Sequence, residues 1–380
     1  MTTRRVFLKA TSGAALGLYL SPIACESNQI TPKVTGGRFD FLTPVDVSTN
    51  RRNRPIDSHF VQFGGEGSVP SWNYDTVAEI DRSAWSISLQ GLFTTPGELT
   101  FADIDAAVAD DQAVTVLNTL RCIFDSTGIP GLVGTALWRG VPLSTFLEAA
   151  GVDSTVQRFR IFSRDGFTNN LRRDDVFVPV DEIERSPLLA YQVNGADIPH
   201  IHGGPVRLLV PGRYGYKSMK WVERIEATDD DAVFGSYQDA FGFFDDGTIQ
   251  LATKVTDPLA SAELRAGRLE LFGYALSGDK TVGSVEVSID DGPFEPTVLE
   301  PFETLAEQNP ELSETLQAQI GRTYPYRGVW TLFRFSWDAT PGTHRLQFRA
   351  IDSDGLIQVV SDTDPTDGFS GYWDIQVQVV

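Results

Sequence analysis

The chain has 380 residues, of which 41% are hydrophobic and 22% are charged. This length and composition favour two globular domains with sizeable cores, and they exclude collagen, coiled coil and wholesale disorder. The 51 acidic and 31 basic residues leave a formal net charge of -20. Because a negative field repels phosphate backbones, we expect no nucleic-acid partner.

Residues 1–28 have the pattern of an export signal. The run Thr-Arg-Arg-Val-Phe-Leu-Lys at 3–9 is a twin-arginine pattern, followed by a short apolar run at 14–20. Since a membrane-spanning helix needs about 20 apolar residues, the segment predicts a signal rather than an anchor. We expect a periplasmic or otherwise extracytoplasmic protein. The other interpretation of this segment is an ordinary N-terminal helix.

Cys25 stands at the end of the predicted signal, in the run Pro-Ile-Ala-Cys at 22–25. It is either a lipobox cysteine, which would carry a lipid anchor, or a residue near an ordinary cleavage site. Either outcome leaves Cys122 without a partner for an internal disulfide.

Residues 29–245 are predicted to form a mixed α/β domain. Period-two alternation indicates half-buried strands, and capped apolar runs indicate short helices. The predicted strands cover 85–89, 114–120, 159–162, 206–210 and 221–225, and the predicted helices cover 99–104 and 143–150.

Residues 250–380 have the pattern of an all-β domain. Alternating runs at 269–275, 284–289 and 343–350 are separated by Asp-Gly and Pro-Gly turns. Short strands at this spacing are typical of an immunoglobulin-like β-sandwich, here without its disulfide. An acidic insertion at 300–321, expected to be helical, interrupts the pattern. The predicted fold class is therefore α+β, a mixed α/β domain followed by this sandwich.

The motifs of serine hydrolases, zinc proteases and P-loop enzymes are absent from the sequence, but two other features remain. Cys122 ends a predicted apolar strand, and a thiol there is either a small core residue or a soft metal ligand. The second feature is a basic island in this acidic chain, formed by Arg207, Arg213, Lys217 and Lys220 among glycines. It indicates an anion site, for a phosphate for example, and the alternative is a salt-bridged surface strand.

The run His-Gly-Gly-Pro-Val-Arg at 202–207, with Lys220-Trp221 downstream, resembles the hallmark of the sulfite oxidase family of molybdopterin oxidoreductases. The segment around Cys122, with Leu-Trp-Arg-Gly-Val-Pro at 137–142, is similar to the one that holds the family's metal-binding cysteine. The C-terminal strands resemble the family's immunoglobulin-like domain. The resemblance covers residues 54–380.

The resemblance implies a cofactor of molybdenum and molybdopterin, with Cys122 supplying a thiolate to the metal. It implies two-electron oxo transfer with a small-molecule oxo donor or acceptor. Tyr237 falls near the family's active-site tyrosine. The residues implied to contact the cofactor are His202, Arg207, Lys217, Lys220, Gln62 and Phe63. Because no haem-attachment motif is present, electrons would pass through a separate carrier protein, and relatives dimerise through the C-terminal domain.

Two departures from the family pattern bear on the substrate. The arginine of the family's N-terminal Phe-Tyr-x-Arg-Asn stretch is missing at 59–63, and so is the arginine shortly after the cysteine. Asp125 instead introduces a carboxylate, which at reduced dielectric would repel a dianion by several kcal/mol. The sequence therefore predicts that Asp125 belongs to the active site and that the substrate is not sulfite.

Two alternatives stay open at this point. One is a sulfite dehydrogenase in which Arg213 or Arg327 replaces the missing arginines. The other is an exported binding protein that has the same fold without the cofactor.

Overall fold

The structure, a computed structural model, describes residues 77–125, 132–310, 324–364 and 366–380. The predicted export signal, Cys25, Gln62 and Phe63 lie outside these ranges. Within them, no helix is both long enough and apolar enough to cross a bilayer.

The first half of the described chain contains ten strands and four α-helices. The strands are β1 Ser86–Gly91, β2 Gly97–Thr100, β3 Val114–Arg121, β4 Val133–Pro142, β5 Arg158–Ser163, β6 Thr168–Arg172, β7 Leu188–Val193, β8 Ala196–Asp197, β9 Arg207–Leu209 and β10 Val222–Thr228. The helices are α1 Phe101–Ala109, α2 Leu143–Ala150, α3 Arg173–Val176 and α4 Ser236–Phe241, with 3-10 turns at Arg82–Ala84, Val180–Arg185 and His200–His202.

These strands form two sheets, one mixed and one antiparallel. One has the order β2-β1-β10-β5-β6, in which β1 and β10 are parallel and the other pairs antiparallel. The other has the order β3-β4-β7-β8, and β9 pairs with β7. Helix α2 has the predicted bounds and ends at Gly151, whose φ of 73° suits a residue without a Cβ.

Helix α1 begins two residues later than predicted. Leu99 and Thr100 belong to β2, where Leu99 is buried and Thr100 pairs with Ser86. The Asp103 carboxylate accepts hydrogen bonds at 2.7 Å from both the backbone N and the Oγ1 of Thr100. This cap starts the helix at Phe101.

The second half contains nine strands and one α-helix. They are β11 Ala252–Asp257, β12 Glu263–Leu264, β13 Gly267–Leu276, β14 Val282–Ile289, β15 Glu295–Pro296, β16 Val298–Leu299, α5 Phe302–Gln308, β17 Thr331–Ala339, β18 Gly342–Asp352 and β19 Trp373–Val379. Helix α5 lies in the predicted insertion, whose residues 311–321 are outside the described part.

These strands form two sheets, in the orders β11-β13-β17-β16 and β12-β19-β18-β14-β15. Buried side chains from both sheets, such as Leu271, Val285, Phe333 and Phe348, form one core between them. The predicted fold class, a mixed α/β domain followed by a β-sandwich, is therefore confirmed.

The two halves share a further core. Its buried members include Tyr214 and Tyr216 from the first half and Tyr274 and Trp330 from the second. The end of β3 packs at this boundary, since Thr119 N donates to the Gly328 carbonyl and Trp330 N to Thr119 Oγ1. The strand that leads to Cys122 is therefore held by the C-terminal half.

Candidate active site

Cys122 directly follows β3 and is buried, with 4% of its surface exposed. It packs in an apolar cluster with Leu120, Leu132 and Trp138. Its backbone N donates to the Leu132 carbonyl at 2.9 Å, and its Sγ accepts a hydrogen bond from Phe124 N at 3.4 Å. A backbone donor directed at the sulfur favours the thiolate form, which is the form that binds metals.

Asp125 ends the turn that starts at Cys122, and its carboxylate is 1% exposed. Its Oδ1 accepts a hydrogen bond from Lys254 Nζ at 2.7 Å, and its Oδ2 accepts hydrogen bonds from Arg121 Nε at 3.3 Å and from the Tyr274 hydroxyl at 3.1 Å. Burial by itself would raise the pKa of Asp125, but Lys254 and Arg121 outweigh it and hold that pKa below its ordinary value.

This geometry corrects the expectation that Asp125 brings a net negative charge to the site. Its carboxylate is paired with two cations, so Asp125, Arg121 and Lys254 together carry a charge of +1. The prediction that Asp125 repels an anionic substrate is therefore wrong. Its position beside Cys122 was predicted, whereas its partner Lys254 comes from β11 in the other half and was not.

Arg207 and Lys220 are the two cations of the basic island that lie side by side. A Cβ built on Gly203 would lie 2.9 Å from the Cβ of Lys220 and 3.1 Å from the Cβ of Arg207. Arg207 is buried and donates to the carbonyls of His202 at 2.9 Å and Ser218 at 2.7 Å. Lys220 Nζ donates to the Ile201 carbonyl at 2.8 Å.

Neither Arg207 nor Lys220 forms a salt bridge within the described part of the chain, and Arg207 Nε is buried there without a hydrogen-bond partner. Burial lowers the pKa of Arg207 to about 10. Burial, with the neighbouring charge of Arg207, lowers the pKa of Lys220 to about 7. The charge of Asp165 acts on Lys220 without forming a salt bridge, so the two adjacent, desolvated cations are only partly neutralised and a bound anion would supply the rest.

The other two cations of the island have carboxylate neighbours. Lys217 Nζ donates to the Asn170 carbonyl at 3.0 Å and lies 3.8 Å from Asp245, while burial lowers the pKa of Lys217 to about 8. Arg213 pairs with Asp279 at 2.9 Å and with Asp246 at 3.4 Å. The salt-bridged interpretation therefore applies to Arg213, and the anion site centres on Arg207 and Lys220.

Trp138 connects the cation pair to the sheet whose strand β3 ends directly before Cys122. The Arg207 guanidinium lies 5.2 Å from the centre of the Trp138 ring, and Trp138 belongs to the same apolar cluster as Cys122. A second connection runs through the backbone, where Gly215 N donates to the Arg121 carbonyl at 2.7 Å. The cation pair and Cys122 therefore belong to the same sheet, at Arg207 of β9 and directly after the end of β3.

His202 and Tyr237, the remaining described residues of the predicted site, are both buried. His202 belongs to the 3-10 turn that ends at Gly203, next to the cation pair. The Tyr237 ring lies 6.0 Å from that of Phe124, two residues after Cys122, and 5.2 Å from that of Phe167. The roles predicted for these two side chains stay predictions.

The sequence analysis missed Trp138, Ser218, Lys254 and Tyr274. Lys254 could have been noticed in the sequence, because it is one of six lysines and lies in a mainly apolar stretch at 251–255. A lysine in such a run indicates a buried charge with a partner. The partner itself could not be found from the sequence, since 129 residues separate Lys254 from Asp125.

The chain is similar to several known oxidoreductases. Residues 74–234 match the family model of the oxidoreductase molybdopterin binding domain. Sulfite oxidase of Gallus gallus is 29% identical over 292 residues, which cover 67% of this chain and 60% of that enzyme. An uncharacterized oxidoreductase of Bacillus subtilis, YuiH, is 30% identical over 148 residues, which cover 39% of this chain and 67% of YuiH.

The chain belongs to the sulfite oxidase family of molybdopterin-dependent oxidoreductases. A solved structure, the sulfane dehydrogenase SoxCD of Paracoccus pantotrophus, shares the fold, with a TM-score of 0.62 and 20% identity over 79% of this chain and 77% of that one. The chain spans 60% of the length of the Gallus gallus enzyme and 20% of a Hordeum vulgare nitrate reductase. The predicted family, enzyme class and molybdenum–molybdopterin cofactor are confirmed.

The described residues fit that cofactor at two points. The unpaired cations Arg207 and Lys220 suit a phosphate group, because a phosphate supplies both negative charge and acceptor oxygens. The buried thiol of Cys122, with a backbone N–H directed at its sulfur, suits a soft metal.

Replacing Gly204 with alanine should prevent the loop before β9 from adopting its native conformation. A Cβ at Gly204 would lie 1.8 Å from the backbone carbonyl O of Ile198, which cannot move as a side chain does. We expect Gly204→Ala to destabilise the protein by more than about 2 kcal/mol and to lower its molybdenum content. Gly97→Ala, where nothing lies within 4 Å, is the control. Thermal unfolding and elemental analysis measure both effects, and an unchanged Gly204→Ala protein would contradict this packing.

Lys220 should make the stability of the cofactor-free protein depend on pH. Its folded-state pKa of about 7 lies below the ordinary value of 10.5, so the unfolded chain binds more protons between these values. The destabilisation by Lys220 is therefore complete below pH 7 and fades as the pH rises toward 10.5. Lys220→Met should raise the unfolding temperature most at pH 6.5, and this gain should shrink at pH 8 and 9.5.

Lys280→Met is the control for this pH series. Lys280 is exposed and its pKa is raised above 10.5 by Asp354, so its contribution stays constant between pH 6.5 and 9.5. A gain for Lys220→Met that is also constant over this range would show that Lys220 keeps its proton throughout.

Proposed function

We propose that this chain catalyses two-electron oxo transfer at a molybdenum centre bound through Cys122. The observation that carries the proposal is the pair of buried cations, Arg207 and Lys220, which forms no salt bridge within the described residues and lies against Trp138 of the apolar cluster that contains Cys122. When bound, the molybdenum cofactor supplies the transfer of an oxygen atom and two electrons. The match to the molybdopterin binding domain supports the same conclusion.

The chain's own residues bind and orient that cofactor. Arg207 and Lys220 would neutralise the pterin phosphate; His202 ends the turn before Gly203, and Lys217 lies in the chain between the two cations. Both cations are held by backbone carbonyls, so their positions do not depend on the ligand. A prearranged anion site limits the conformational entropy lost on binding.

Cys122→Ser tests the thiolate role. A serine oxygen is a harder and less basic ligand than a thiolate, so turnover should fall by more than the roughly 10–100-fold ascribed to outer-shell partners of a metal. Absorption bands from thiolate-to-metal charge transfer should disappear as well. Cys25→Ser is the control, because Cys25 is the only other cysteine.

Elemental analysis for molybdenum accompanies that experiment. Wild-type protein should contain close to one molybdenum per chain. Wild-type protein that contains none when purified from a host able to make the cofactor would sink the proposal, whatever the Cys122 variant does.

We propose that the substrate is a neutral oxo donor or acceptor, such as a sulfoxide, rather than sulfite. Phe124 lies two residues after Cys122, in the stretch where the family pattern has an oxyanion-binding arginine, and it packs against the rings of Tyr237, Phe241 and Phe243. Such an aromatic surrounding favours an uncharged substrate over a hydrated dianion.

The arginines suggested as replacements for the missing pair support the same view. Arg213 is paired with Asp279, and Arg327 is paired with Glu184. Moving either arginine onto a substrate would break its ion pair, which costs free energy wherever the carboxylate is partly buried.

One observation favours the second candidate, a sulfite dehydrogenase. The charge of Asp125 is neutralised by Arg121 and Lys254, so it does not oppose an anionic substrate. Under that proposal the +1 charge of this group would attract sulfite, and Arg121, rather than Arg213, would be its nearest arginine.

Steady-state kinetics with methionine sulfoxide and with sulfite separate the two candidates. We expect kcat/KM for the sulfoxide to exceed that for sulfite by at least about tenfold, a difference of about 1.4 kcal/mol in transition-state stabilisation. Each assay uses an artificial electron donor or acceptor, so that the missing carrier does not limit the rate. A preference for sulfite would select the dehydrogenase.

We also propose the cellular setting expected from the sequence. The twin-arginine pattern at residues 3–9 supports export of the folded protein, with Cys25 as a lipid-anchor site or a residue near the cleavage point. A separate protein would carry the electrons. The C-terminal sandwich would form a homodimer, as the family resemblance implies.

A further inference from the structure

A second buried charged group lies where the two halves of the chain meet. It consists of Arg121 and Asp125 from the first half and Lys254 and Tyr274 from the second, and each of the four is at most 4% exposed. None of them belongs to the pair that suits the phosphate. The group therefore needs an explanation of its own.

Lys254 and Tyr274 act on Asp125 as one unit. They are directly opposite each other on the neighbouring strands β11 and β13. From there Lys254 Nζ reaches Asp125 Oδ1 at 2.7 Å, and the Tyr274 hydroxyl donates to Asp125 Oδ2 at 3.1 Å. Lys254 also lies 5.5 Å from the ring centre of Trp373 on β19. The ammonium of Lys254 and the hydroxyl of Tyr274, both from the sandwich, thus bind the same carboxylate.

Asp125 connects Lys254 and Tyr274 to the turn that contains Cys122. Its backbone N donates to the Cys122 carbonyl at 3.0 Å, which closes a turn over 122–125. Its Oδ1 also accepts a hydrogen bond from Leu132 N at 3.1 Å, and the Leu132 carbonyl accepts one from Cys122 N at 2.9 Å. The Asp125 carboxylate therefore holds both the turn after Cys122 and the residue that pairs with Cys122.

A contribution to stability does not by itself explain why these charged residues are buried together. Buried ion pairs recover little more than the free energy spent in removing the charges from water, and apolar replacements of similar volume are often as stable. A buried group of net charge +1 next to a metal ligand has an electrostatic effect that apolar residues lack. In a low-dielectric interior this effect is weakly screened and extends over several ångströms.

We propose that Lys254 and Tyr274 are positioning residues of the C-terminal domain, which hold the Cys122 turn through Asp125 and raise the reduction potential of the metal bound there. This inference rests on the proposed function of Cys122 as the metal ligand. A positive charge nearby stabilises the more electron-rich, reduced state of a metal centre, which fixes the direction of the effect.

The test compares the holoenzyme of the wild type with Lys254→Met, Lys254→Arg and Tyr274→Phe. Two matched controls lie in the same domain and away from the turn. Lys280→Met removes an exposed lysine paired with Asp354, and Tyr372→Phe removes a hydroxyl that accepts a hydrogen bond from Arg349 at 3.1 Å. The readouts are molybdenum per chain and the midpoint potential of the molybdenum couple, followed by electron paramagnetic resonance.

The expected result is a lower midpoint potential in Lys254→Met at unchanged molybdenum content, with the potential largely restored in Lys254→Arg. Tyr274→Phe should change the potential less, because it removes a hydrogen bond without removing a charge. The two controls should match the wild type. A Lys254→Met enzyme with the wild-type potential, or a Lys280→Met enzyme with an equal shift, would overturn the electrostatic role.

A second measurement tests the mechanical role in full-length protein that lacks the cofactor. In a Cys25→Ser background Cys122 is the only cysteine, so its alkylation rate reports how often the turn opens. Tyr274→Phe and Lys254→Met should each raise this rate by roughly tenfold or more, while Tyr372→Phe should not. Equal rates in all proteins would overturn the positioning role, and Tyr274→Phe alone suffices if Lys254→Met fails to fold.

Failure of this inference is distinguishable from failure of the proposed function. If Cys122→Ser keeps the molybdenum, its charge-transfer bands and full turnover, the ligand assignment fails. If Cys122→Ser loses them while the Lys254 and Tyr274 variants behave as the wild type, only the positioning role fails.

Discussion

The protein buries two adjacent positive charges that form no salt bridge within its described residues, and the rest of the site is arranged around this constraint. Arg207 and Lys220 lie against Gly203, donate only to backbone carbonyls and have pKa values lowered by burial. In a chain with 51 acidic residues, carboxylates to neutralise them would be easy to supply. No described carboxylate forms a salt bridge with this pair, although the charge of Asp165 acts on Lys220, so the remaining countercharge is left to a ligand.

The charges beside Cys122, in contrast, are paired within the protein. Asp125 has two cationic partners and a tyrosine hydroxyl, so its carboxylate is fully engaged within the protein. An engaged carboxylate holds backbone in place, whereas an unpaired cation attracts a ligand. One arrangement would hold the cysteine, and the other would hold the cofactor that the cysteine would bind.

The C-terminal sandwich takes part in this arrangement. Tyr274 and Trp330 pack into the same core as Tyr214 and Tyr216, which precede Lys217 in the phosphate-site loop. Lys254 and Tyr274 contact the turn after Cys122 directly. Destabilising the sandwich would therefore change the metal site even where no residue of the first half is altered.

Much of the fold could be predicted from the sequence. Period-two alternation in runs such as 284–289 and 343–350, and the capped apolar run at 143–150, are local patterns whose physical cause is burial of one face. The cysteine and the cation-rich loop could be predicted too, because a thiol at a strand end and lysines in an acidic chain stand out by residue type. The start of α1 was misplaced by two residues, since pairing of Thr100 with Ser86 decides where β2 ends.

Which charges are paired was decided by the tertiary structure alone. Asp125 was expected to repel anions, and it does not, because Lys254 meets it from a position 129 residues later in the chain. Arg213 and Lys220 are equivalent by composition, yet three carboxylates surround Arg213 and none bonds Lys220. The sequence determined which charged and reactive groups the protein possesses. Only folding, which sets distances between residues remote in the chain, determined which of these groups neutralise each other and which remain for a ligand.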